Sequence, residues 1–509
     1  MRTAAAVLLV YLAALAATLA LQFQGGAYAA EFTQTSDESA HYVTGLLVHD
    51  FVAAGAPRPV SPFYRQFHEH YPNVGIGHWP PGFYLLQAAW SLLFGISRSS
   101  MLLLMAMCNA GLVTGTYYLI KSALSLRYAL CGSLLLLTIP AAQVSARSLM
   151  GEVPMALLEL AAVAAFRLYL KQERPVGSAL FGLFAAAALL TKGTAVMLAI
   201  VPPVGVLLQR RPGLLFRWHS WLPAGIVAML CVPWYLEAPG ALHDQVAFLG
   251  GLTFLPGSFP ETFLYLQDNL GNAVLAAALV GMAATLRAIW NKEQRDPIWP
   301  LALVVVTSSI LFRAFVAVWE PRHLLTAVPW ILLFAADAIR RMIAHRGLVS
   351  GIVAGASVMT VAIYCVWNVW STPMKVHLGL DEAALSILAT PELEKVNLLV
   401  ISDLRGEGVF TAEIAAHERR PGHRVLRGSQ ILAHTSFLGD ESEPRFHETA
   451  PLMRYLAGIR PLVVILDDPA LPFSHAKLVR DTIAENPAAW QKVGSSDGLR
   501  GPIETWRLQ

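Results

Sequence analysis

Residues 151–170 read GEVPMALLELAAVAAFRLYL. Only Glu152, Glu159 and Arg167 interrupt this apolar run. Because one helix needs about 20 apolar residues to cross a bilayer core, the stretch predicts a transmembrane helix. Similar runs recur through the first 370 residues, so we expect a polytopic α-helical membrane protein with about 11–13 transmembrane helices. The runs lie at 4–22, 80–97, 100–120, 127–146, 151–170, 176–191, 193–209, 218–236, 270–288, 298–316, 322–340 and 347–369.

Charge divides the chain into two parts. Asp, Glu, Lys and Arg make up 33 of the 139 residues from 371 to 509, but only 38 of the first 370. Soluble domains carry about 25% charged residues, so we expect a membrane domain at 1–370 and a soluble domain at 371–509. The net charge of +3 is too small to indicate a nucleic-acid partner. All four cysteines lie in apolar runs, which argues against disulfides and thiolate metal sites.

Basic loops give the orientation of the spans. The loops at 167–174, 210–217, 287–295 and 340–346 are rich in Lys and Arg and are therefore expected on the cytoplasmic side. This places the first loop (23–79), the turn after residue 190 and the C-terminal domain outside. Because successive spans must alternate between the two sides of the membrane, one of the runs at 80–97, 100–120 or 127–146 is then expected not to cross fully. Residues 1–30 also resemble a signal peptide, although the 18 apolar residues from Ala4 to Leu21 favour a retained helix.

The C-terminal part has the pattern of an α/β domain. Val396 to Asp403 and Pro461 to Asp468 are apolar runs that end in acid, as buried strands do. Helical patterns lie at 409–419, 447–458 and 474–486. No glycine-rich loop follows either run, so nucleotide binding is not expected. We interpret this domain as a structural or acceptor-docking unit.

The first loop contains the acidic pair Asp37 and Glu38 at the start of an amphipathic pattern. Such a helix would hold two acids at the bilayer surface. A helix N-cap at this point is an equally good interpretation. Several metal-ligating side chains follow, but their spacing matches no recognised ligand pattern, so no metal site is predicted. They are His41, His49, His68, Glu69 and His70.

Other charged side chains stand at the outer ends of the spans. Arg147 and Glu152 lie between two apolar runs, and Lys192 lies in the turn LTKGTA. Charges at such depth are costly and are usually functional or paired. An Arg147–Glu152 ion pair and snorkelling of Lys192 to phospholipid remain alternatives. His78 and Arg322 begin two further apolar runs on the same face.

Together these side chains suggest one reaction site. A carboxylate can take the proton of an attacking hydroxyl. Cations can bind a lipid phosphate and stabilise it as a leaving group.

At this point the sequence resembles the membrane-embedded GT-C glycosyltransferases that use polyprenyl-phosphate sugars. The most similar groups are the dolichyl-phosphate-mannose protein mannosyltransferases and the lipid A aminoarabinose transferases. The matching order of motifs covers about residues 1–345. The motifs are Asp37-Glu38, His78-Trp79-Pro80-Pro81, Ala146–Met155, Leu190-Thr191-Lys192-Gly193 and Arg322-His323-Leu324-Leu325.

The resemblance implies an inverting transferase in which a first-loop acid is the base. Asp37, Glu38 and Glu152 are then the catalytic candidates, and Lys192, Arg322, Arg147 and His78 are the candidates for binding the donor phosphate. The expected partners are a polyprenyl-phosphate sugar, membrane lipids and a lipid, glycan or protein acceptor. The expected location is the outer face of a bacterial inner membrane. No cofactor is implied, and the residues leave a divalent metal open. Trp79 stands between His78 and the prolines, unlike the family, and Glu152 stands where many members carry Asp.

Two other functions compete with this interpretation. A transporter or flippase of lipid-linked sugars would show an inverted repeat and polar residues near the midplane. The first and second halves of the sequence show no such symmetry, and the acids cluster at one face. A mere membrane anchor for the C-terminal domain leaves Glu152 and Lys192 unexplained.

Overall fold

The computed structural model confirms the predicted fold class, a helical membrane domain followed by a small α/β domain. The structure describes residues 2–238, 255–293, 296–314, 321–344, 348–394, 396–435, 442–466, 474–499 and 501–509. The α-helices up to residue 371 are α1 Arg2–Gln24, α2 Ser36–Ala53, α3 Val60–His70, α4 Gly82–Phe94, α5 Arg98–Ala123, α6 Leu126–Thr138, α7 Pro140–Ala146, α8 Glu152–Gln172, α9 Pro175–Thr191, α10 Val201–Leu208, α11 Leu222–Glu237, α12 Leu255–Trp290, α13 Ile298–Ala314, α14 Val328–Ile343 and α15 Leu348–Ser371. Short 3₁₀ helices lie at Gly193–Ile200, Pro212–Phe216, Trp218–Ser220 and Pro321–Leu324.

Among the described residues, six helices are long and apolar enough to cross a membrane, or seven if one bent helix pair is counted as a single span. Other predicted spans are shorter apolar helices. One of these, α4, has 13 residues and so reaches about 20 Å, less than the roughly 30 Å of a bilayer core. The pair α6 and α7 bends by 61°. Two of the three segments among which we expect an incomplete crossing are therefore not straight, full-length spans.

Close packing around α8 shows why these helices stay together. Pro154 lies in the first turn of α8, where a missing N–H costs little. The helix ends at Gln172 with Glu173 as its C-cap, and Pro175 then starts α9, which packs against α8. Gly177 on α9 lies so near the backbone of Tyr169 that an added Cβ would be 2.6 Å from its nitrogen. Glycine is needed at position 177, where α8 and α9 meet, because the Tyr169 backbone cannot move aside for a side chain.

The elements of the C-terminal domain are α16 Leu380–Leu388, β1 Leu398–Ile401, α17 Leu404–His417, β2 Val425–Arg427, α18 Gly428–Ile431, β3 Ala433–Thr435, β4 Ser442–Pro444, α19 Thr449–Ile459, β5 Leu462–Leu466, α20 Ser474–Glu485, β6 Trp490–Gly498 and β7 Gly501–Leu508. The domain is built on a mixed five-stranded sheet of order β2-β1-β5-β7-β6. Strand β1 pairs in parallel with β2 and β5, and β7 pairs antiparallel with β5 and β6. The two predicted strands correspond to β1 and β5. The β6–β7 hairpin is not predicted, because its strands are largely exposed and carry no long apolar run.

The C-terminal domain packs on the first loop. Arg420 donates two hydrogen bonds to Asp50 on α2, at 2.7 and 2.8 Å. The Tyr71 hydroxyl donates to Glu418. Bidentate arginine–carboxylate pairs fix orientation as well as distance. The domain is therefore held on the side of the molecule that carries α2.

A linking segment, residues 373–380, joins α15 to this domain and lies against the start of the first loop. The Lys375 backbone N–H donates to the carbonyl of Gly25 at 2.8 Å. The buried Glu31 carboxylate accepts N–H bonds from Leu378 and Leu380, each at 2.8 Å. The linking segment is thus fastened at several points to the stretch that leads into α2.

Candidate active site

Four predicted site residues meet in one cluster. Glu152, the first residue of α8, is fully buried and accepts a hydrogen bond from Lys192. Arg322 brings its Nε to 2.7 Å from the same Glu152 oxygen. The Nη2 of Arg322 also donates to Asp37 Oδ2 at 3.1 Å. We call Asp37, Glu152, Lys192 and Arg322 the charge cluster.

The two acids of the charge cluster differ in their exposure to solvent. Glu152 has no exposed surface, whereas one third of the Asp37 side chain is open to solvent. The two acids balance the two cations, which satisfies the requirement that buried charges be paired. A lysine has three N–H donors and an arginine five, so both can bind further oxygens beside these carboxylates. The open end at Asp37 is the side from which a water-soluble reactant can approach.

The position of Lys192 depends on a close backbone contact. Helix α9 ends at Thr191, and Lys192 follows in extended conformation. Gly82, at the start of α4, lies against Leu190, and an added Cβ would be 2.7 Å from the Leu190 carbonyl oxygen. This contact supports the turn from which Lys192 reaches Glu152.

The structure corrects two of the alternatives drawn from sequence. The N-cap of α2 is Thr35, and the Asp37 carboxylate contacts Arg322 instead of capping the helix. Arg147 does not pair with Glu152. It donates to the carbonyl of Pro373 and, at 3.5 Å, to that of Gly25. Its assignment to the donor phosphate stays a prediction that these contacts do not support.

Contacts between aromatic rings connect His78 to α2. Its ring lies edge-on to Trp79, with centroids 5.3 Å apart. Trp79 in turn packs on His41 at 4.4 Å. The phosphate-binding role of His78 also stays a prediction.

His41 is a site residue that sequence reasoning considers only as a metal ligand. It lies one turn after Asp37 on α2, and its Nδ1 is 2.8 Å from the Tyr84 hydroxyl. Burial lowers the pKa of His41 to about 4, although the charge of Asp37 acts in the opposite direction. The imidazole is therefore neutral at physiological pH. The sequence signal for His41 is its position four residues after Asp37, because residues at this spacing are neighbours on a helix surface.

Glu38 points away from the charge cluster. Its Oε1 accepts from Lys375 Nζ at 2.7 Å and from the Leu149 N–H at 2.9 Å. Its Oε2 accepts from the Gln34 N–H at 2.8 Å. Lys375 was not predicted, although a lone lysine just after the last apolar run was a visible signal. Glu38 thus has a full set of protein partners and no exposed surface.

A cavity lies beside α8, one to two turns after Glu152. Its lining includes Glu159, two turns below Glu152 on α8, and neither oxygen of this buried carboxyl has a hydrogen-bond partner among the described residues. The hydroxyls of Thr194 and Ser309 donate to methionine sulfurs, which are weak acceptors. The full lining is Met155, Glu159, Thr194, Met197, Ser309, Phe312, Arg313, His323 and Thr326.

The first-loop histidines do not gather around one point. His49 contacts Asp50, and His70 contacts the Gly422 carbonyl. In the described part of the chain, one group has the ligand atoms for a metal within 4.8 Å of one another: Glu31, His377 and Asp381. Backbone N–H groups already bind both Glu31 oxygens, and Arg98 already pairs with Asp381 at 3.3 Å.

Comparison with known proteins identifies the fold. Residues 78–236 match the family model described as dolichyl-phosphate-mannose-protein mannosyltransferase. No curated protein sequence matches the chain. The crystal structure of ArnT from Cupriavidus metallidurans bound to undecaprenyl phosphate is similar, with a TM-score of 0.63, 14% identity and 97% of each chain covered.

Two other solved structures extend this likeness. The Archaeoglobus fulgidus oligosaccharyltransferase has a TM-score of 0.58 and 11% identity, over 90% of this chain and 69% of that one. The arabinofuranosyltransferase AftD from Mycobacteria has a TM-score of 0.53 and 13% identity, over 97% of this chain and 40% of that one. These relatives are glycosyltransferases of the GT-C type, as the sequence motifs suggested. The chain is thus a multi-pass membrane protein of the GT-C glycosyltransferase fold.

Proposed function

We propose that the protein is an inverting glycosyltransferase that moves a sugar from a polyprenyl-phosphate donor to a hydroxyl acceptor. The observation that carries the proposal is the charge cluster. In it the buried Glu152 holds two cations, Lys192 and Arg322, and Arg322 also pairs with the partly exposed carboxylate of Asp37. The bound undecaprenyl phosphate of the ArnT structure supports a lipid-phosphate donor.

In this proposal Lys192 and Arg322 bind the donor phosphate. Negative charge builds on that phosphate as its bond to the sugar breaks. Two charge-assisted contacts in a site shielded from water stabilise this charge more strongly in the transition state than in the bound donor. Glu152 keeps both cations in place before the donor arrives, so little reorganisation is needed during the reaction.

Asp37 acts as the general base. The acceptor hydroxyl attacks the anomeric carbon from the side opposite the phosphate and loses its proton to the Asp37 carboxylate. A new glycosidic bond forms, the bond from the anomeric carbon to the phosphate oxygen breaks, and the polyprenyl phosphate leaves with the electron pair. One displacement of this kind inverts the anomeric configuration.

The surroundings suggest where each substrate enters. In this proposal the donor comes from the bilayer side, along the cavity beside α8. The acceptor, a lipid, glycan or protein, comes from the open side at Asp37, beside the C-terminal domain. We place this side on the outer face of a bacterial inner membrane, because basic loops mark the opposite ends of the spans.

The test is transfer of a radiolabelled sugar from a synthetic polyprenyl phosphate by the purified protein in detergent. Mass spectrometry of envelope glycans in cells that lack the gene identifies the acceptor to be supplied. The product should carry the inverted anomeric linkage. Transport of the intact lipid-linked sugar across vesicles without cleavage would contradict the proposal and favour a flippase.

A further inference from the structure

Lys375 and Glu38 form a buried ion pair outside the charge cluster. Neither side chain has exposed surface, and Lys375 Nζ lies 2.7 Å from Glu38 Oε1. The residues are 337 positions apart in sequence. Because removing two charges from water is costly, a fully buried pair is weak evidence of a gain in stability and asks for another explanation.

The pair connects three segments of the chain. Glu38 belongs to the first turn of α2, and Lys375 belongs to the linking segment. The Glu38 carboxylate also accepts the Leu149 N–H at 2.9 Å, and Lys375 donates to the Arg147 carbonyl at 3.3 Å. The stretch 147–149 leads directly into Glu152. The ion pair therefore holds the beginning of α2 against the entry to α8.

This contact bears on the geometry of the charge cluster. Consecutive helix residues point about 100° apart, so a fixed Glu38 sets the direction in which Asp37 points. Glu38 faces inward to Leu149, and Asp37 faces Arg322. Leu149 is three residues before Glu152. The distance between the acid at the open end and the buried acid is thus set through Glu38.

We propose that Lys375 is a positioning residue of the active site, which holds Glu38 on the backbone of Leu149 and thereby places Asp37 relative to Arg322 and Glu152. The inference rests on the proposed function, since it assigns Lys375 a part in the same reaction. It also makes catalysis depend on the linking segment between α15 and the C-terminal domain. A purely structural ion pair would affect folding alone.

The decisive variant is Lys375→Met in the full-length protein, because methionine keeps the length of the side chain and loses its charge. We expect kcat for sugar transfer to fall about 100-fold, as for a misplacement of about 1 Å in a reacting group. The dissociation constant of a polyprenyl phosphate without sugar should not change, because Lys192 and Arg322 remain. Hydrogen–deuterium exchange should accelerate in residues 36–40 and 147–151.

The matched control is Lys492→Met, which breaks the exposed Lys492–Glu504 pair of the C-terminal domain. It should leave transfer and exchange in residues 36–40 unchanged. If Lys375→Met does not fold, Glu38→Gln takes its place. This variant keeps the volume but replaces one acceptor with a donor that meets a backbone N–H, and its transfer and exchange should change in the same directions.

The proposal is wrong if the folded variant transfers sugar normally with unchanged exchange in residues 36–40. It is equally wrong if transfer falls only in proportion to the fraction of unfolded protein. Should the wild-type protein cleave no sugar from the donor, the proposed function fails. Exchange in residues 36–40 then decides alone whether Lys375 positions Asp37.

Discussion

Replacing Asp37 by Asn removes the proposed base with little other change. Asparagine has the same shape, and its amide oxygen can still accept the 3.1 Å hydrogen bond from Arg322. The start of α2 should persist, because its N-cap is Thr35. A third of the Asp37 side chain is exposed, so losing this ion pair should lower the free energy of unfolding by at most about 1 kcal/mol.

The expected loss of activity is much larger. General base catalysis contributes about 10²–10⁴-fold, which corresponds to about 3–5.5 kcal/mol of activation free energy. Single-turnover transfer from a radiolabelled polyprenyl-phosphate sugar measures the chemical step, and titration with the sugar-free lipid measures donor-site binding. Asp37→Asn should slow the first by at least 100-fold and leave the second unchanged.

The matched control is Asp497→Asn, which changes an exposed acid of the C-terminal domain. It should transfer sugar at the wild-type rate. A single-turnover rate for Asp37→Asn within about tenfold of wild type lies below the range for a general base and would refute the assignment. His41, one turn further along α2, would then be the next candidate.

Three further predictions follow from the same geometry. Arg322→Ala should weaken binding of a polyprenyl phosphate, measured by titration calorimetry, by about 10–150-fold, which corresponds to one charge-assisted hydrogen bond of about 1.5–3 kcal/mol. The control is Arg217→Ala, which changes an exposed arginine. If Arg322→Ala binds the lipid as tightly as the wild type, Arg322 does not bind the phosphate. In intact cells, an impermeant maleimide should label Ser495→Cys, an exposed position of the C-terminal domain, and labelling only after lysis would place this domain in the cytoplasm. The hydrogen bond to Glu418 raises the pKa of His423 above 6.5. The stability that protonated His423 adds is therefore complete below pH 6.5 and is lost as pH rises through the higher pKa. Urea should unfold the C-terminal domain more easily at pH 8.5 than at pH 6, and the same pH difference in a His423→Asn variant would contradict this.

Hydropathy was enough to predict the architecture, because a membrane segment must hide its backbone and its sequence shows this directly. The same holds for β1 and β5, which are buried on both faces and read as unbroken apolar runs. The β6–β7 hairpin lies at the sheet edge, and its exposed residues give no such signal. Span number was harder to predict, since an apolar helix such as α4 is not long enough to cross.

Charged residues in the first loop and at span ends indicated four of the side chains that gather at the site, but also others that lie elsewhere. Asp37, Glu152, Lys192 and Arg322 do meet. Arg147 has the same sequence signal and instead binds carbonyl groups of other segments. Pairing depends on the packing of helices far apart in sequence, which hydropathy does not encode.

Because Gly82 contacts Leu190, substitution at this uncharged position should disturb the active site as much as substitution of a charged residue. A methyl group there would lie 2.7 Å from a carbonyl oxygen of the backbone, which cannot rotate away as a side chain can. The end of α9 would have to shift, and Lys192 follows two residues later. Natural or laboratory variation at position 82 would therefore alter the electrostatics of the site through the path of the main chain, without adding or removing any charge.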